Sequence, residues 1–284
     1  MCAIAIVTDT DSSLPADVTA EFGIRQVPIS VHFGQEILQS GVDIDDAALF
    51  ARVDRENRLP TTSAPSPGEF QQAYTAAFDD GAEAVVCFCV SSEVSAVYAA
   101  AVSARELMAQ RDITVIDSRN LSMGQGVMVL VAAEAAREGA TKEEVIRRAV
   151  AAGERVRLYA ALPTLKYLAM SGRVGRLAAG VADLLSVKPV LTVRDGKLDL
   201  LERVRTLGKA WLRVIELTGE ALGGRPAERM YLLHVNAVRE AHQFEAELRT
   251  HVACPDVIPM VELTPGLSVH SGAGMVGVVV LPAA

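Results

Sequence analysis

The sequence predicts an α/β protein of two domains. Residues 1–155 read as an N-terminal three-layer α/β/α domain on a mainly parallel sheet, and residues 156–284 as an α/β domain with a mixed sheet and helices on one face. Three observations carry this. The first half alternates short apolar, β-rich runs with helix signals, and its strands are unbroken apolar runs, as in a parallel sheet covered on both faces. The second half changes rhythm, with Asp195-Gly196 set between two β-rich runs as in a hairpin. The length, 284 residues, exceeds one typical domain.

Taken in order, residues 3–8 form a short strand that ends in the polar run Asp9-Thr10-Asp11-Ser12-Ser13. Pro15 suits the first turn of a helix that Gly23 closes. Residues 27–33 read as one strand, and Asp43 can cap a helix over 44–53. Ser66-Pro67-Gly68-Glu69 is a capping box with proline at the first helical position, opening a helix to about residue 78. A strand over 85–90, a helix over 95–108, a strand over 113–116 and a long helix over 123–137 stopped by Gly139 follow. Thr141-Lys142-Glu143-Glu144 is a second capping box and starts a helix to about residue 152. In the second half the hairpin spans 190–204, followed by a helix over 208–222, a strand over 230–235, a helix over 237–252, and strands over 257–263 and 275–281.

Composition narrows the function. Half the residues are hydrophobic and 22% are charged, a globular balance with apolar material to spare for a greasy cavity. Acidic residues exceed basic ones, 35 to 27, for a net charge of −8, which argues against a nucleic-acid partner. The start, Met1-Cys2-Ala3 leading into Ile4-Ala5-Ile6-Val7, has no basic segment or cleavage pattern of a leader. No apolar stretch approaches the ~20 residues of a membrane span, so a cytoplasmic protein with at most transient membrane contact is expected. The four cysteines show no framework spacing, and Cys87 and Cys89 alternate on one side of a buried strand.

Ligands in open parallel sheets bind beyond the carboxyl ends of the strands, near helix N-termini. Three loops so placed are rich in hydroxyls: Asp9–Ser13 after the first strand, Thr61-Thr62-Ser63-Ala64-Pro65-Ser66, and Ser91-Ser92-Glu93-Val94-Ser95. Each offers hydroxyl and backbone donors suited to a carboxylate or phosphate, and each could equally be capping and turn chemistry. A fourth loop, Ser268–Gly274, sets His270 in a glycine-flanked turn, whereas His32, His234, His242 and His251 fall in strand or helix patterns. Gly272-Ala273-Gly274-Met275-Val276-Gly277 spells the dinucleotide fingerprint, yet the residues after Gly277 are β-like and supply no helix. The sequence also has no GxxxxGK[ST] loop, HExxH or CxxC pair, so no cofactor or metal is expected.

Together these loops resemble the DegV family in an order that spans nearly the whole chain. The matching segments begin with Val7-Thr8-Asp9-Thr10-Asp11-Ser12-Ser13-Leu14, Thr62-Ser63-Ala64-Pro65-Ser66-Pro67, Ser91-Ser92-Glu93-Val94-Ser95-Ala96-Val97-Tyr98 and Asp117-Ser118. They continue with Leu168 to Arg176, Lys188-Pro189 followed by Asp195-Gly196, and His270-Ser271-Gly272-Ala273-Gly274. The resemblance implies a fatty acid held between two domains. It also implies a lipid-presenting subunit of a bacterial fatty acid kinase, with ATP bound by a separate catalytic subunit and no catalytic residue in this chain. Thr62, Ser63, Ser92 and Ser95 would hold the carboxylate, His270 would lie beside the head group, and Arg203 or Arg205 would add positive charge. The family's Ser-Gly-Thr-Tyr is here Ser95-Ala96-Val97-Tyr98, and its last-loop proline is Ala273.

The energetics suit a lipid. About fifteen methylenes at ~0.8 kcal/mol each give on the order of 12 kcal/mol, while hydroxyls and amides offset the cost of a buried carboxylate. Apolar residues around 123–131, 159–168 and 184–191 could line the tail. Two other readings use the same loops. One is a small-metabolite or phosphate-sensing module. The other is a Ser95/His270 esterase or acyltransferase, which lacks a Gly-x-Ser-x-Gly elbow.

Overall fold

The computed structural model describes residues 3–173 and 187–284. Cys2, which belongs to no matching segment, lies outside the described residues, as do Val174, Gly175 and Arg176 of the matching segments and Leu184, Leu185 and Ser186 of the expected tail lining. The described chain divides into two compact units, Met1–Asp43 with Thr62–Glu154, and Ile44–Thr61 with Arg155–Ala284. Residues 44–61, drawn with the first domain on sequence, thus group with the second unit.

In the first part of the chain the elements are β1 (Ile4–Asp9), a 3-10 turn (Thr10–Ser12), α1 (Ala16–Phe22), β2 (Arg25–Val27), β3 (Ser30–Phe33), β4 (Glu36–Gln39), α2 (Asp46–Glu56), β5 (Thr61–Ser63) and α3 (Pro67–Asp79). There follow β6 (Ala84–Cys89), α4 (Val97–Leu107), β7 (Ile113–Asp117), α5 (Met123–Arg137) and α6 (Lys142–Arg155). The first unit is built on a parallel sheet in the order β2-β1-β6-β7. Thr8, opposite Phe88 in register, accepts a hydrogen bond from Gln125 on α5 (2.9 Å). Side chains alternate across a strand, so Cys87 and Cys89 face the other way, where Tyr74 of α3 lies against them. Helices therefore cover both faces, as the apolar strands implied. The two thiols are fully buried with Sγ atoms 3.8 Å apart.

The helix signals hold locally. Ser66 and Glu69 form the reciprocal capping box, Gly23 closes α1 in the left-handed region, and Thr141 Oγ1 accepts from the Glu144 amide (3.3 Å). Two expectations change. The single strand over 27–33 breaks at Pro28, which has no N–H for a ladder. Residues before it join the parallel sheet as β2, and those after it pair with β4 in a small sheet of order β4-β3-β5. Asp45 rather than Asp43 caps α2, accepting from the Ala48 amide (2.8 Å), while Asp43 accepts from the Gln39 amide (2.8 Å).

The second unit contains β8 (Arg157–Ala161), α7 (Lys166–Met170), β9 (Lys188–Arg194), β10 (Lys197–Val204), α8 (Leu207–Leu222), β11 (Ala227–His234) and α9 (Val238–His251). It ends with β12 (Met260–Glu262), α10 (Pro265–Ser271) and β13 (Val276–Pro282). Its six strands run β10-β9-β8-β13-β11-β12, antiparallel except for the β11–β12 pair. Asp195 and Gly196 both take positive φ (51° and 79°), as the hairpin turn requires. Helices α8 and α9 bury Val214, Ile215, Phe244 and Leu248 against Leu232, Val276, Val278 and Val280, sheet residues of one parity. Gly277 begins no helix, because it lies inside β13, where a Cβ would stand 2.7 Å from the Tyr159 carbonyl. Among the described residues no helix is long and apolar enough to cross a membrane.

Candidate functional site

In the first unit the candidate groups stand at the carboxyl ends of β1, β6 and β7. Asp9, at the end of β1, is fully buried. Its Oδ1 accepts from the Asp11 amide (3.0 Å), and its Oδ2 accepts from the Val90 amide (2.8 Å) and Gln125 Nε2 (3.1 Å). Burial pushes its pKa up to about 6 against those three donors. The hydroxyls of this loop are committed to the fold. Thr10 accepts from the Ile29 amide (3.0 Å), Ser12 from Gln26 (3.4 Å), and Ser13 from the Ser122 hydroxyl (3.1 Å). The Asp9–Ser13 loop is thus a brace across the sheet edge, with its three hydroxyls already used.

The Ser91–Ser95 segment is a turn rather than the first turn of α4, which begins at Val97 after an N-cap position at Ala96. Alanine has no cap acceptor, so the turn is held otherwise. The amides of Val94 and Ser95 donate to the Ser91 carbonyl (3.1 and 3.2 Å), and Ser91 Oγ accepts from the Glu93 amide (3.3 Å). Ser92 is exposed, with its hydroxyl donating to Asp117 Oδ2 (2.6 Å) and its amide to Oδ1 (3.2 Å). Ser95 is half-buried, and its hydroxyl has no hydrogen-bond partner among the described residues. Thr62, also half-buried, and exposed Ser63 lie on β5, with Ser63 Oγ 2.8 Å from His32 Nε2. That histidine, assigned to the scaffold on sequence, joins a candidate group because β3 and β5 are neighbours in the small sheet.

In the second unit, residues 265–271 form α10 instead of the expected loop. Thr264 takes the N-cap position, Pro265 presets the first turn, and Gly272 ends the helix at φ 79°. A Cβ on Gly272 would collide with the Tyr167 ring of α7. His270 thus sits in a helical last turn. Burial, reinforced by the charge of Arg173, drives its pKa down to about 4, so the ring is neutral near pH 7. Two residues earlier, buried Ser268 donates to Asp46 Oδ2 (2.6 Å). Burial first, then the charges of Glu262 and Asp45, raises the Asp46 pKa to about 7 against that hydrogen bond. Asp46 escaped sequence reasoning because an acid in the first turn of a helix reads as a dipole partner. Arg203 and Arg205 are exposed and form no ion pair among the described residues.

The family model of the DegV family, a family of uncharacterised proteins, matches residues 3–283. A DegV domain-containing protein of Streptomyces coelicolor is 34% identical over 278 residues, 98% of each chain. One of Mycobacterium tuberculosis is 36% identical over 279 residues, 98% of this chain and 96% of its own. Among solved structures, a fatty-acid-binding DegV family protein of Thermus thermophilus superposes with TM-score 0.92 at 29% identity, over 99% of this chain and 100% of that one. DegV of Bacillus subtilis, a fatty acid binding protein, gives TM-score 0.87 at 28% identity over the same shares. A stearic acid-binding protein of Eubacterium ventriosum gives 0.88 at 25%, over 99% and 98%. Sequence, fold and the order of the hydroxyl loops agree: the chain belongs to the DegV family.

Proposed function

We propose that this protein binds a long-chain fatty acid and presents its carboxylate to a separate kinase subunit for phosphorylation. The observation that carries the reading is the likeness, over essentially the full chain, to a Thermus thermophilus relative that binds fatty acid. Local chemistry supports it. Among the described residues Ser95 keeps an uncommitted hydroxyl at the carboxyl edge of a parallel sheet, while the neighbouring serines are spent on holding its turn.

In this reading Thr62 and Ser95 donate to the carboxylate, and Ser63 assists under the hold of His32. Ser92 acts through the turn that it ties to Asp117. His270 has a neutral ring that can donate a hydrogen bond without placing a fixed charge beside a carboxylate. Arg203 and Arg205 supply positive charge where the kinase subunit approaches. This chain brings no nucleotide-binding loop of its own, so phosphoryl transfer falls to the partner. The site is cytoplasmic, and the lipid enters and leaves by transient membrane contact.

Native mass spectrometry of the freshly purified protein, followed by denaturing extraction, tests the binding claim. A single stoichiometric C14–C18 fatty acid is expected. Protein that arrives without lipid and fails to take up added palmitate refutes it, and a bound phosphate ester would transfer the site to the metabolite class. For presentation, a cognate kinase subunit with ATP should yield acyl phosphate from the loaded protein, and the His270→Ala variant should lose that step more than it loses binding.

A further inference from the structure

We propose that Asp46 is a positioning residue for the ligand head group, acting through Ser268 and α10 on His270. The inference rests on the reading of His270 as a head-group residue and adds the device that aims it.

Asp46 is the first residue of α2, yet Asp45 already caps that helix, so the Asp46 carboxylate is not needed there. It is instead only 1% exposed, a costly place for a carboxylate. Among the described residues its one side-chain donor is the Ser268 hydroxyl at 2.6 Å, and its Oδ1 accepts no hydrogen bond. The other charged groups that face it are acids, Glu262 of β12 and Asp45 of α2. Glu262 is itself drawn to the Asn236 amide (3.2 Å) and to His234 Nδ1 (3.7 Å). Apolar side chains would pack this spot at less cost, so the pair's value is directional.

The direction is set by helix geometry. Residues two apart on an α-helix stand about 200° apart around its axis, so Ser268 and His270 project from opposite sides of α10. One side is tied to α2 by Ser268. The other is fitted to α7, where Gly272 leaves no room for a Cβ beside the Tyr167 ring and Arg173 bears on His270. With only seven residues, α10 has few ladder bonds of its own to hold its rotation. Its azimuth, and with it the imidazole of His270, follows the Asp46–Ser268 tether.

The test compares palmitate with methyl palmitate as competitors of a fluorescent fatty acid on the full chain, because the ester keeps the tail and removes the charged head. Wild type should prefer the acid. Ser268→Ala and Asp46→Ala should each reduce the acid-to-ester affinity ratio by roughly five- to tenfold, the weight of one hydrogen bond, with little change for the ester. Asp46→Asn, whose amide oxygen can still accept from Ser268, should restore the preference. Ser268→Ala combined with His270→Ala should be no worse than His270→Ala alone, since both act on one group. If acid and ester weaken together, or if the double variant multiplies the two losses, Asp46 and Ser268 only stabilise the fold and the inference is overturned. If His270→Ala itself leaves the ratio unchanged, the head-group reading falls and takes the inference with it. Should Asp46→Ala not fold, Ser268→Ala decides the matter.

Discussion

Asp117, the last residue of β7, accepts both the amide and the hydroxyl of Ser92, at 3.2 and 2.6 Å. Cys89 and Asp117 are register partners at the sheet edge, so this carboxylate fixes the turn after β6 from the neighbouring strand. It also accepts from the Arg119 amide (3.0 Å), at a residue with φ 51°. Ser95 lies three residues beyond Ser92, and its placement depends on that hold. Asp117→Ala should therefore weaken fatty acid binding about tenfold, the value of one or two charge-assisted hydrogen bonds. Asp117→Asn, which keeps one acceptor, should lose less. Titration calorimetry with palmitate decides it, and unchanged affinity in Asp117→Ala would show that the turn holds itself.

Among the described residues the hydroxyl of Ser95 has no partner, so its removal should leave stability within about 0.5 kcal/mol of wild type. The same removal should cost binding, because the ligand carboxylate would lose a donor in a desolvated place. Thr62→Val, which keeps the shape of the side chain, should likewise cost binding. Urea unfolding of the lipid-free protein and calorimetry of palmitate binding separate the two effects. A Ser95→Ala variant that binds normally would remove Ser95 from the site.

Asp9 makes the opposite prediction, with stability lost throughout the first unit. Its two oxygens serve three donors from three segments, the amides of Asp11 and Val90 and the Gln125 side chain. Asparagine offers a single acceptor oxygen, and its amide would be aimed at a donor. Asp9→Asn should cost about 2–3 kcal/mol, visible as a lower urea midpoint with the slope unchanged. A variant as stable as wild type would mean that the brace is redundant.

Much of this architecture could be read from residue order. The apolar run around Cys87 and Phe88, the Ser66–Glu69 capping box and the Asp195-Gly196 turn are local signals, and each produced the element it implied. What escaped is non-local. The separation of β2 from β3 at Pro28 depends on which sheet has room for each half of the run. The pairing of Asp46 with Ser268 spans 222 positions, and no spacing rule reaches that far. Glycines at 272 and 274 suggest a turn around His270, whereas the residue lies in a helix. In the structure Gly272 ends a helix, and a Cβ at Gly274 would stand 2.9 Å from Pro163. Ser92, expected among the carboxylate donors, has its hydroxyl already committed to Asp117, a partner 25 positions away.

The raised pKa of Asp46 gives the last prediction. In the unfolded chain its carboxyl titrates near 3.8, and in the folded protein near 7. Between those values the folded state holds a proton that the unfolded state has released. Its contribution is therefore fully present below about pH 4 and is lost as the pH rises toward 7. Asp9, raised to about 6, acts in the same direction over a narrower window. His270, lowered to about 4, acts in the opposite sense, because as the pH falls from about 6.5 toward 4 the unfolded chain takes up a proton that the buried ring does not. The pH dependence of wild type alone mixes these effects, so the informative quantity is the difference between variant and wild type. Asp46→Asn cannot titrate, and its stability relative to wild type should improve between pH 5 and pH 8. Each unit of displacement corresponds to about 1.4 kcal/mol, so a gain on the order of 2 kcal/mol across that range is expected. Urea unfolding at pH 5, 6, 7 and 8 measures it. Parallel curves for the two proteins would mean that Asp46 is ionised in the folded state throughout, held by more than the Ser268 hydroxyl.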